Sequence, residues 1–101
     1  MDVNELIAKI ELRSKQYAED HHVRRDDDWF LLKIQEEFGE LTQKYLMLTD
    51  RARQKEMSKE EIRKDLEYEF ADLFCQIILF GEHNNIDLLK NVQEKWLKHL
   101  R

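Results

Sequence analysis

Proline is absent from this sequence, glycine occurs only at Gly39 and Gly81, and cysteine only at Cys75. Without the residues that build tight turns, a hairpin-rich β fold has little to work with. A lone cysteine cannot close an internal disulfide, and Met1-Asp2-Val3-Asn4-Glu5 has neither the basic nor the apolar region of a signal peptide. A reducing cytoplasm is therefore the expected setting. The longest purely aliphatic and aromatic run, Ile77-Ile78-Leu79-Phe80, falls far short of the roughly 20 residues of a membrane span. Positive charge is also scarce: the net charge is -5 and no long segment is predominantly basic, which argues against a nucleic-acid polymer as partner.

What the chain does have is charge and apolar residues in near balance, 39% charged against 42% hydrophobic over 101 residues. That is one domain, 1–101, with the composition of charged-faced helices, and we read it as all-α. Residues 2 to about 20 carry Leu6, Ile7, Ile10, Arg13 and Tyr17 at helical spacing, with Asp2 or Asn4 as cap. His21 to Asp28 is polar and aperiodic, a connection that ends in an acidic helix start. A second helix is predicted over about Asp28 to Thr49 on the stripe Leu31, Leu32, Ile34, Phe38, Leu41, Tyr45 and Leu48. Residues 50–57 read as a basic loop, and Ser58 with Glu61 as a capping box that opens the third helix.

Between Phe70 and Phe80 that third helix is apolar almost all round, so it needs cover on every side. A four-helix bundle-like subunit completed by homo-oligomerisation, as a homodimer or homotetramer, meets that need. Gly81 to Asn85 is expected to end the helix, with Asn85 as a C-terminal cap. Asp87 then caps a fourth helix bearing Leu88, Leu89, Val92, Trp96 and Leu100.

The chemistry is concentrated in Gln35-Glu36-Glu37-Phe38-Gly39-Glu40-Leu41 and in Glu69-Phe70-Ala71-Asp72. Each stretch sets two carboxylates three residues apart on one helix face, where like charges cost roughly 0.2–0.5 kcal/mol per pair. Isolated acidic pairs of this kind are usually solvated surface. Here they flank Phe38, Leu41, Phe70 and Leu73, which are expected to be buried and to anchor the helices, with Gly39 leaving room for a ligand or a close helix. Two facing helices would then converge four carboxylates, an arrangement that calls for a cation. An all-oxygen donor set suits Mg²⁺, or Mn²⁺, rather than zinc. Di-iron chemistry needs a Glu-x-x-His motif from each of two helices, whereas the third residue after Glu37 is Glu40 and after Glu69 is Asp72.

Glu36-Glu37-x-x-Glu40 followed by Glu69-x-x-Asp72 resembles the signature of the MazG-like all-α nucleoside triphosphate pyrophosphohydrolases, and the likeness extends from about Trp29 to Trp96. The resemblance implies a Mg²⁺-dependent enzyme that splits a nucleoside triphosphate, NTP or dNTP, into the monophosphate and pyrophosphate, in a house-cleaning role toward non-canonical nucleotides. It implies Glu37, Glu40, Glu69 and Asp72 as metal ligands, and Glu36 and Glu37 as the carboxylates of catalysis. Three roles stay open for Glu36: binding a second metal, orienting water, or pointing outward. Phosphoribosyl-ATP pyrophosphohydrolase and dUTPase-like activities are related alternatives. A non-enzymatic helical interaction module, its acidic face binding a basic protein, is an alternative of another class.

For substrate binding, Trp29 precedes the carboxylates by about two turns, where stacking on a base competes with core packing. Lys33 and Lys44 lie a turn to either side of the Glu37/Glu40 pair, placed for phosphate oxygens or for ion pairing with those glutamates. Lys95, before Trp96, matches the lysine that the resembled family places on its last helix for phosphate, although His99 stands where that pattern has Asn. His21 and His22 fit an exposed loop, Cys75 a small core residue, and Ser58 a cap.

Overall fold

The computed structural model describes residues 1–101 as four α-helices and a closing turn of 3₁₀ helix, with no strand: α1 Val3–His21, α2 Asp27–Leu48, α3 Lys59–His83 and α4 Leu88–Lys95, then Leu97–His99. Side-chain oxygens open each α-helix. Asp2 accepts from the Glu5 amide at 2.8 Å, Asp26 from Trp29 at 2.9 Å and Asp87 from Lys90 at 3.1 Å. Ser58 and Glu61 complete a reciprocal capping box, satisfying amides that a helix start leaves unpaired.

α3 runs through Gly81 to His83 and is closed by Asn85, whose φ of 55° is left-handed. The Ile86 amide reaches back to the Gly81 carbonyl at 2.9 Å. Asn85 is thus the left-handed closing residue, while Gly81 is an ordinary helical position. The carboxamide of Asn tolerates this region better than most side chains do.

α2 and α3 form an antiparallel hairpin. Asp27 meets His83 at its open end, the acidic residues of the two motifs meet in the middle, and Lys44 pairs with Asp65 at 3.2 Å toward the loop. At the loop itself Lys59 donates to the Leu48 carbonyl at 2.7 Å and to Asp50 at 2.5 Å, tying the start of α3 to the end of α2. The core is Phe30 and Met47 from α2 with Ile62, Ile78 and Leu79 from α3. α1 packs against α3. Arg25, in the connection, binds Glu11 and Ser14 of α1 and lies 5.1 Å from the centre of the Phe30 ring. His83 stacks on the same ring at 4.2 Å.

Two expectations are corrected. Phe38 and Phe70 are 59% and 65% exposed and do not anchor the hairpin. The inward face of α2 follows Phe30, Lys33, Glu37, Leu41 and Lys44, whereas Leu31, Phe38 and Tyr45, seven residues apart, form a second stripe that faces out. On α3 the exposed stripe is Phe70, Phe74 and Ile77. A helix with two apolar stripes can turn only one toward a single neighbour. Gly39 meets no atom within 4 Å of where a Cβ would stand, so no close helix approach uses it.

α4 is shorter than its sequence pattern. The α-helix stops at Lys95, and Trp96 and Leu100 are 74% and 78% exposed. It packs substantially only against the 3₁₀ turn that follows it, and the chain's radius of gyration of 16.2 Å exceeds the ~13 Å of a compact domain of about 100 residues. The packed unit is α1 to α3. No helix is long and apolar enough to cross a membrane.

Candidate metal centre and adjoining cleft

The hairpin register brings together three of the four carboxylates that the motif spacing suggests, and Asp72 stays outside the close group. Glu37 and Glu40 of α2 and Glu69 of α3 each offer one carboxylate oxygen such that the three atoms lie within 4.8 Å of one another. Glu37 is buried, Glu69 half-buried and Glu40 exposed, so the group runs from the core to the surface. One carboxylate oxygen of Glu37 and one of Glu69 are sealed from solvent with no hydrogen-bond donor in the chain. A buried acceptor left unpaired costs about 1–3 kcal/mol, more if it carries charge.

The proton affinities record that cost. Burial, then the adjoining Glu40 carboxylate and the charge of Asp72, push the Glu37 carboxyl from its ordinary 4.5 up to about 7, against an opposing pull from Lys33. Glu69 is raised chiefly by burial and then by Glu40 and Asp72. Asp72 is raised by burial and by Glu40, with Lys33 opposing. These are the signs of negative charge gathered with too little positive charge to balance it. Orphaned acceptors, oxygen-only donors and crowded charge together fit a hard divalent cation.

Through Glu37 the group adjoins a cleft of about 480 Å³ walled by three helices. α1 contributes Lys9, Ile10, Arg13, Ser14 and Tyr17, α2 contributes Trp29, Lys33 and Glu37, and α3 contributes Asp72, Cys75, Gln76 and Leu79. That size is within the range of small-molecule sites. Asp72 stands at the cleft beside the close triplet. Trp29 lines the cleft while packing edge-on to Phe30, ring centroids 5.0 Å and planes 83° apart.

The other sequence candidates fall elsewhere. Glu36 is outside the triplet and pairs with Lys33 at 3.0 Å, its side chain 54% exposed. Lys33 lies 3.9 Å from Glu37 and lines the cleft. Lys44 does not line the cleft and pairs with Asp65. Lys95 is exposed at the end of α4, away from the packed unit.

The acidic motifs give no pointer to Lys9, Arg13, Tyr17 or Gln76. The one signal in the sequence is that Arg13 and Tyr17 continue the apolar spacing of α1, since an arginine on such a stripe has a reason to face inward. The Gln76 acceptor oxygen, one turn beyond Asp72, is sealed from solvent without a partner. Cys75, expected in the core, is half-buried at the cleft, its thiol pushed up by burial and by Asp72.

Fold and site together define an all-α protein with a carboxylate triplet at the edge of a ligand-sized cleft. Searched against known proteins, the chain matches no protein-family model, no curated protein and no solved structure.

Proposed function

We propose that the protein is a Mg²⁺-dependent nucleoside triphosphate pyrophosphohydrolase, resembling the MazG-like enzymes, which releases the monophosphate and pyrophosphate. The observation that carries this reading is the meeting of Glu37, Glu40 and Glu69 within 4.8 Å, with Glu37 at the edge of a cleft that also presents cations and an aromatic ring. Glu37, Glu40 and Glu69, with Asp72 beside them, would hold the cation. When bound, it supplies charge neutralisation for phosphate oxygens and a lowered pKa for the attacking water.

The chain's own residues do the rest. Lys33 holds Glu36 at the rim and biases Glu37 toward its charged form. Trp29 offers a face to a base, and the carboxylates exclude any substrate that arrives without a counter-ion. The exposed stripes Leu31/Phe38/Tyr45 and Phe70/Phe74/Ile77 support a homo-oligomeric assembly, because exposed apolar patches of this kind mark subunit contacts.

The test is pyrophosphate release from a panel of canonical and modified NTPs and dNTPs with Mg²⁺, repeated with Glu37→Gln and Asp72→Asn. Turnover that both substitutions abolish is expected. Turnover that survives them, or none with any nucleotide, overturns the reading.

A further inference from the structure

The cleft carries opposite charges on different helices that do not close on one another. Lys9 and Arg13 stand four residues apart on α1, one turn along a single face. Both line the same cleft as Glu37 and Asp72. Neither is within 4.0 Å of any carboxylate, whereas Lys33, the third cation of the cleft, is engaged by Glu36 and Glu37. Flexible cations lining the same cleft as carboxylates, yet unpaired, leave room for a ligand between them. A ligand that completes the sequence of charges is anionic toward α1 and cation-bridged toward α2 and α3. A polyphosphate chain has that form. In a chain of net charge -5, a polyanion also needs local cations to overcome the general repulsion.

We propose that Lys9 and Arg13 are a phosphate clamp, which takes the terminal phosphates of a triphosphate whose inner phosphates lie at the carboxylate wall. Its chemistry rests on the pyrophosphohydrolase reading, and it adds a criterion of chain length: a triphosphate reaches both α1 cations, a monophosphate at the carboxylate wall reaches neither. The guanidinium of Arg13 can grip two oxygens of one phosphate, while Lys9 acts as a point charge. Both side chains are exposed in the free protein, so their replacement leaves the helices intact.

The test is isothermal titration of Mg²⁺-saturated protein with inorganic tripolyphosphate and with monophosphate, for wild type, Lys9→Met, Arg13→Met, the double variant and Arg13→Lys. Each Met substitution is expected to weaken tripolyphosphate binding roughly tenfold, the cost of one charge-assisted contact at a partly solvated site. The double variant loses about a hundredfold, Arg13→Lys falls between wild type and Arg13→Met because it keeps the charge but not the two-point grip, and monophosphate binding changes little. A double variant within twofold of wild type, equal losses for both anions, or no tripolyphosphate binding by wild type overturns the clamp. Nucleotide hydrolysis at an unchanged KM in the double variant overturns the clamp and spares the enzyme. Tripolyphosphate binding that needs Lys9 and Arg13, in a protein that hydrolyses no nucleotide, supports the clamp and sinks the enzyme.

Discussion

Replacing Glu37 by glutamine should stabilise the cation-free protein while destroying the site. The Glu37 carboxyl is raised from 4.5 to about 7, so the folded chain holds that proton more tightly than the unfolded one does. Its contribution to stability is complete below 4.5 and is lost as the pH rises toward 7, the reverse of an ordinary salt-bridged carboxylate. At roughly 1.4 kcal/mol per pH unit the ceiling is about 3 kcal/mol. Sharing of charge among Glu40, Glu69 and Asp72 makes about 1–3 kcal/mol the expected range.

Glutamine removes the charge and supplies an amide donor beside the Glu40 and Glu69 oxygens. At about 4–8 °C per kcal/mol for a domain of this size, Glu37→Gln should melt roughly 4–24 °C above wild type at pH 8 in chelator. The two proteins should converge at pH 4. Adding Mg²⁺ should raise the wild-type melting temperature and leave the variant unmoved, because only a site that binds the folded state shifts the equilibrium. Thermal denaturation followed by circular dichroism at both pH values reads all of this. A variant that melts below wild type at pH 8 without divalent ions would refute the reasoning, since Glu37 would then be stabilising the fold as a charged group.

Ile62 is fully buried at the loop end of the hairpin, so Ile62→Ala should cost about 2–5 kcal/mol in urea titration through the cavity it leaves. A loss below about 1 kcal/mol would mean that the site collapses freely. Gly39→Ala should add about 0.5–1 kcal/mol to stability in the same assay, because the glycine sits inside α2 with open space where the methyl group goes. A destabilised Gly39→Ala would show that the space is needed.

The helices and their caps were legible because they are local. Asp2, Ser58 with Glu61, and Asp87 cap where the residue types say they should, and the three-residue spacing of each acidic motif fixes which carboxylates share a face. The meeting of Glu37, Glu40 and Glu69 was legible too, since two amphipathic helices joined by a short loop pack antiparallel. What periodicity could not decide was which of two apolar stripes turns inward. Phe38 and Phe70 looked like anchors, yet packing placed the carboxylate side at the helix interface and left the aromatics outside.

The early stop of α4 has the same origin. Nothing in Leu88 to Leu100 breaks a helix, and Trp96 departs from it at φ -113° where the chain gives it no neighbour to pack on. The α1 wall of the cleft was hidden because it depends on how α1 docks, a tertiary matter of which Arg13 gave the only local sign.

The acidic triplet lies wholly within the α2–α3 hairpin, and its two arms are joined by the short segment between Leu48 and Lys59. Elements so near in sequence meet at small loop-closure cost, and chains rich in such local contacts fold fast. The hairpin is therefore the natural nucleus, and the repulsion among its carboxylates is met on the way up the folding barrier rather than after it. A divalent cation would act on the rate of folding as well as on the lifetime of the folded state. The crowded carboxylates and the closure of the hairpin then involve the same few residues.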